Sequence, residues 1–148
     1  MAFSYSSKRS SQVKYFLLTL LCLIANGLSD TVSFSGYMVD RYCWLRTAHR
    51  ALDTGRPLNL YPNEHTVHCL IDIEVCYTSG FVILEQSNPG EIPAEFNIKY
   101  ILDSVGNENA LTALRNSRKI ADYNVTVTGE VDGTTYDGQE SQFQGIQI

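Results

Sequence analysis

Hydrophobic and polar positions divide the chain after residue 30 into short, mostly β-type segments. In Thr31–Asp40, Val32, Phe34, Gly36 and Met38 alternate with Ser33, Ser35, Tyr37 and Val39. That period of two predicts a strand, and Gly36 within it marks a bend of the kind found at a barrel corner. Phe81–Glu85 is an apolar run between Gly80 and the Ser87–Gly90 turn, and reads as a buried strand. Phe96–Asp103 predicts another, with Phe96, Ile98 and Tyr100 on one face. In the tail, Val125, Val127, Gly129 and Val131 alternate with Asn124, Thr126, Thr128 and Glu130. An Asp132-Gly133 turn follows, and a last strand is expected within Gln142–Ile148.

Helical spacing shows in two places. Asn107–Lys119 carries an apolar stripe of Ala110, Leu111, Ala113 and Leu114, with Asn107 as the expected cap and Arg115, Arg118 and Lys119 near the end. His65–Gly80 fits two templates. As a helix it aligns His65, Cys69, Ile73 and Cys76; as a strand it aligns Cys69, Ile71, Ile73 and Val75 against Asp72 and Glu74. The helix is preferred because Thr66 suits its start and Gly80 its stop. Residues 41–64 read as a mixed insert with surface loops around Thr54–Pro57 and Tyr61–Asn63.

This order predicts a mostly β, α+β domain with one or two helices. A small, partly open OB-like barrel plugged by the later helix fits the count, because a short twisted sheet hides its edges by curling.

Composition adds a compartment. Lys8, Arg9 and Lys14 precede an apolar stretch, Tyr15–Ala25, which is followed by the small residues Ala25, Gly27 and Ser29. The stretch has 11 residues, about half of the roughly 20 that a membrane-spanning helix needs. The expectation is a signal peptide over residues 1–29 and one secreted domain over 30–148. Loss of three basic residues with this leader takes the net charge from −5 to −8. Such a surface repels nucleic acid and anionic membrane, and suits cations, basic partners or mineral, while also keeping a secreted protein soluble.

Cys22 leaves with the leader, so Cys43, Cys69 and Cys76 remain, an odd number for an oxidising compartment. On one intact helix, Cys69 and Cys76 would stand about 10 Å apart, too far to share a bond or a metal ion. The expected disulfide is therefore Cys43–Cys76, with Cys69 the competing partner and an intermolecular bridge, giving a disulfide-linked dimer, as another outlet for the odd thiol. His65 and Cys69, at helical i, i+4 spacing, form a half-site for copper or zinc. Without it, no cofactor is expected. A Cys69–His68 nucleophile pair lacks an orienting third group, and Asp72 with Glu74 reads as a solvated face. Asn124-Val125-Thr126 is the one glycosylation sequon.

Gly36–Cys43 (GYMVDRYC), His65-x3-Cys69 with Cys76 and Ser79–Phe81 (SGF), and Val125–Gly133 (VTVTGEVDG) resemble the motifs of a scattered group of small exported domains. The resemblance spans nearly the whole mature chain and implies one exported domain, with no activity attached. The expectation is thus a non-enzymatic, secreted component that binds an extracellular protein or is built into a matrix, a skeletal or shell organic matrix being one version. A secreted copper- or zinc-binding protein using His65 and Cys69 is the alternative, and a cysteine-dependent hydrolase the third.

Overall fold

The computed structural model describes residues 31–131, 135–136, 139–140 and 142–147. The leader over residues 1–29 and the Asp132-Gly133 turn lie outside them. In chain order the elements are β1 (Thr31–Asp40), α1 (Arg41–Leu45), α2 (Val67–Asp72), α3 (Glu74–Thr78), β2 (Phe81–Gln86), β3 (Phe96–Leu102), α4 (Ser104–Asn116), β4 (Asn124–Val131), β5 (Thr135–Tyr136), β6 (Gln139–Glu140) and β7 (Gln142–Gln147), with single 3-10 turns at Thr47–His49 and Pro62–Glu64. The class is mostly β, α+β, as expected, but with four α-helices among the described residues rather than one or two. Only α4 is long.

Strands β4, β1, β2 and β3 form a continuous antiparallel sheet. Its outer strands are bridged by β7, parallel to β3 and antiparallel to β4, so the order closes as β1-β2-β3-β7-β4. Strand β1 serves two neighbours in turn, pairing with β4 from Thr31 to Tyr37 and with β2 from Tyr37 to Asp40. Gly36 stands where it changes partner. A Cβ there would lie 2.2 Å from the Leu84 carbonyl oxygen, so the crossing admits no side chain.

Two apolar clusters result. One is enclosed by the strands and covered by α4 and α2: Met38, Phe81, Ile83, Tyr100, Val125 and Val127 meet Ala110, Leu114, Val67 and Leu70. The other lies on the opposite face of β1–β3, where Val39, Val82, Leu84, Ile98 and Ile101 are covered by residues from the 41–80 insert. Strand β2 is buried on both faces, which explains its unbroken FVIL run. Phe96, Ile98 and Tyr100 do not share a face. The register steps from Ile83↔Tyr100 to Leu84↔Ile98, leaving Lys99 as an extra residue. This bulge turns Tyr100 inward while Ile98 stays outside.

Helix α4 begins earlier than its spacing predicts. Asp103, not Asn107, caps it by accepting from the Gly106 amide at 2.7 Å. Asn107 instead ties the helix to the sheet, accepting from Phe81 N at 2.7 Å and donating to the Leu102 carbonyl at 3.0 Å. Among the described residues, no helix is long and apolar enough to cross a membrane.

Candidate metal centre

The segment predicted as one helix over His65–Gly80 is two, and the break between them builds the site. Thr66 caps α2 as expected, accepting from Cys69 N. Ile73 then leaves helical geometry at φ −96°, ψ 107°, before α3 begins, and Gly80 ends the pair at φ +83°. The bend folds Cys76 back over Cys69, and their sulfurs lie 3.5 Å apart. The separation deduced for an intact helix therefore fails, because no intact helix spans both residues.

Cys43 arrives from the other side. Asp40 ends β1 and caps α1, its Oδ1 accepting from Cys43 N at 2.8 Å. This holds Cys43 Sγ 3.8 Å from both Cys69 Sγ and Cys76 Sγ. The three thiols are free and wholly buried. The expected Cys43–Cys76 disulfide is thus not formed, 3.8 Å being far beyond the roughly 2.05 Å of a sulfur–sulfur bond. Nor does any of the three sulfurs reach the surface, where a bridge to a second chain would have to form.

The triangle has a size that matters. A tetrahedron of metal–sulfur bonds near 2.3 Å has edges of about 3.8 Å, close to the three separations observed. Asp40 supplies a fourth donor: one of its oxygens and the three sulfurs all lie within 4.8 Å of one another.

His65 sits against this group rather than in it. It precedes α2, so the i, i+4 helical pairing with Cys69 does not apply. Its ring groups instead with Asp53 and Cys69, again within 4.8 Å. Its Nε2 is 3.2 Å from Asp40 Oδ2, close enough for an ion pair but not aligned as a hydrogen bond. Both ring nitrogens and Asp40 Oδ2 are buried without an aligned partner. Asp53 is drawn in by Thr66, whose hydroxyl donates to its carboxylate.

Charge follows from these neighbours. Burial pushes the His65 pKa down, but the Asp40 carboxylate and Cys43 outweigh it and raise it to about 9. The Cys43 thiol is pushed up by its hydrogen bond to Cys69 and by burial. Cys76 rises to about 12, through burial and the nearby Asp40 charge. Without an ion, the site is then a buried Asp40–His65 ion pair beside the protonated thiols of Cys43 and Cys76. Such thiols are poor nucleophiles.

The other candidates disperse. His68 points away to Asp72, 2.8 Å from its carboxylate, and both are exposed, so the Cys69–His68 pair is not assembled. Glu74 is also exposed. Asn124 stands exposed at the start of β4. Sequence reasoning missed Asp40, which carries both the cap and the carboxylate of the site. The available signal was its place two residues before Cys43's own neighbour in the Asp40-x-x-Cys43 string, at a strand-to-helix junction.

No protein-family model matches this chain, and no similar curated protein or solved structure was found.

Proposed function

We propose that this is an exported, non-enzymatic domain that holds a zinc-type ion through Cys43, Cys69, Cys76 and Asp40, with His65 as the outer charge partner of Asp40. The observation that carries this reading is the sulfur triangle, with edges of 3.5–3.8 Å, facing a buried carboxylate. Three thiolates and one divalent cation leave one negative charge, and Asp40 adds another. A protonated His65 offsets part of it, which gives a reason for burying that ring beside the cluster. Soft sulfur donors favour zinc or copper(I), and the oxygen donor favours zinc. Complete burial leaves no open position for substrate, so the role is structural.

The experiment is metal analysis of the purified mature protein, with cobalt(II) replacing the native ion. The expected result is one ion per chain, the visible absorption of a tetrahedral cobalt thiolate, and loss of both in Cys69→Ser. Asp40→Asn should shift the cobalt spectrum if zinc-type coordination holds, and leave metal content unchanged if copper(I) sits on the sulfurs alone. Protein that takes up no ion near neutral pH under reducing conditions would sink the reading.

The wider role proposed is binding within, or incorporation into, an extracellular matrix. It is supported by the acidic mature chain and the outward Asn124. The closure order β1-β2-β3-β7-β4, with α4 connecting β3 to β4 along the chain, supports an OB-like description of the barrel. Recovery of the protein from an insoluble matrix fraction, rather than from free fluid, tests the matrix role.

A further inference from the structure

A cleft on the barrel surface shares no residue with the sulfur cluster, and its origin is topological. Beyond Tyr37↔Leu84, β1 follows β4 while β2 continues through Glu85 and Gln86 beside β3. The two strands fork at Gly36. The fork opens a cleft of about 460 Å³ whose walls include Ser35, Tyr37, Gln86, Phe96 and Asn124. That volume is in the range of small-ligand sites.

Its chemistry is specific. Tyr37 and Phe96 meet edge to face, with ring centroids 5.5 Å apart. Gln86, Asn124 and Ser35 line the same cleft with amide and hydroxyl groups, beside the Glu85 carboxylate. Aromatic surface beside such polar groups suits a sugar, whose C–H face packs on the ring while its hydroxyls reach the amides. Asn124, the acceptor of the sequon, is directly opposite Tyr37 in the β1–β4 register. Directly opposed residues point to one face with Cβ atoms about 5 Å apart.

We propose that this cleft seats the first N-acetylhexosamine of a glycan carried by Asn124. Attachment forms a bond from Asn124 Nδ2 to the anomeric carbon of the sugar. It breaks that carbon's bond to a lipid-pyrophosphate donor, and the pyrophosphate and one amide proton leave. In the folded domain the Thr126 hydroxyl is hydrogen-bonded to Ser35 at 2.7 Å, so transfer belongs before folding. The sugar is then one bond from the wall of the cleft, and the tether supplies the high local concentration that a shallow site needs. The proposal rests on the export reading of residues 1–29 and is independent of the metal reading.

The test is expression of the full chain in a secreting host that performs N-glycosylation. Mass analysis of the secreted protein should find Asn124 occupied. The N-acetyl methyl proton of the first sugar should be shifted upfield by the rings, and should return to its unfolded position in Tyr37→Ser. Phe96→Leu serves if Tyr37→Ser fails to fold. Release of the glycan by an amidase should be at least tenfold slower from the folded than from the unfolded protein. Secreted protein with Asn124 unmodified overturns the proposal alone, as does a glycan methyl with the same shift in folded and unfolded protein. Protein kept in the cytosol with Met1 attached overturns the export reading as well.

Discussion

The barrel interior and the layer built from the 41–80 insert solve the same problem in opposite ways. The interior is closed by aliphatic and aromatic side chains from β1–β4 and α4, on long periodic elements. The outer layer has helices of five or six residues, too short to be stable alone, and it buries three thiols, a carboxylate and an imidazole. Transfer of apolar area organises the first region. In the second, polar contacts and the proposed ion must hold short segments together, so its order depends on charge state and ligation.

The largest effect is expected at the junction of the two. Asp40→Ala removes the cap of α1 and leaves His65 buried without its counter-charge, at a cost of about 3–5 kcal/mol. A denaturant midpoint within 1 kcal/mol of the parent would contradict the ion pair. Phe81→Ala, from the interior, should cost a similar 3–5 kcal/mol through its cavity, yet leave metal stoichiometry unchanged. Loss of the ion in that variant would blur the distinction between the regions.

Removal of the ion should act on one region first. Under a chelator, amide hydrogen exchange is expected to speed up in Arg41–Leu45, Val67–Asp72 and Glu74–Thr78 while β2 and β3 keep their protection. Uniform loss of protection would make the two regions one cooperative unit.

Acidity separates them next. In the metal-free protein the His65 pKa is about 9, against about 6.5 when unfolded. Its contribution, on the order of 3 kcal/mol, is complete below pH 6.5 and fades as pH rises through 9. Metal affinity should move the opposite way, climbing with pH because the ion must displace thiol protons. Urea titrations of the apoprotein and competition titrations of the ion, both from pH 6 to 9, check the two signs; equal slopes would break the assignment. The smallest effect is Asn107→Ala, expected to cost about 1–3 kcal/mol by leaving the Phe81 amide and the Leu102 carbonyl unpaired.

Legibility in the sequence follows the same division. The alternation in β4 was readable residue by residue, and Asn124, Val125, Thr126 and Val127 lie exposed, buried, exposed and buried in turn. The face shared by Phe96, Ile98 and Tyr100 was misread because one bulged residue, Lys99, reverses the parity of everything beyond it. Asn107 looked like a cap because it precedes the apolar stripe, but Asp103 stands one turn earlier and has the free amide of Gly106 to accept.

What the sequence determined by itself is the class: periods of two and of 3.6 are local, fixed by how the backbone repeats, and they survive in isolation. What only the tertiary structure decided is the site. Whether Cys69 and Cys76 are about 10 Å or 3.5 Å apart depends on a single backbone bend at Ile73. That Cys43 joins them depends on where β1 delivers Asp40. Both are long-range consequences of packing the insert on the outer face of the sheet, and no local period encodes them.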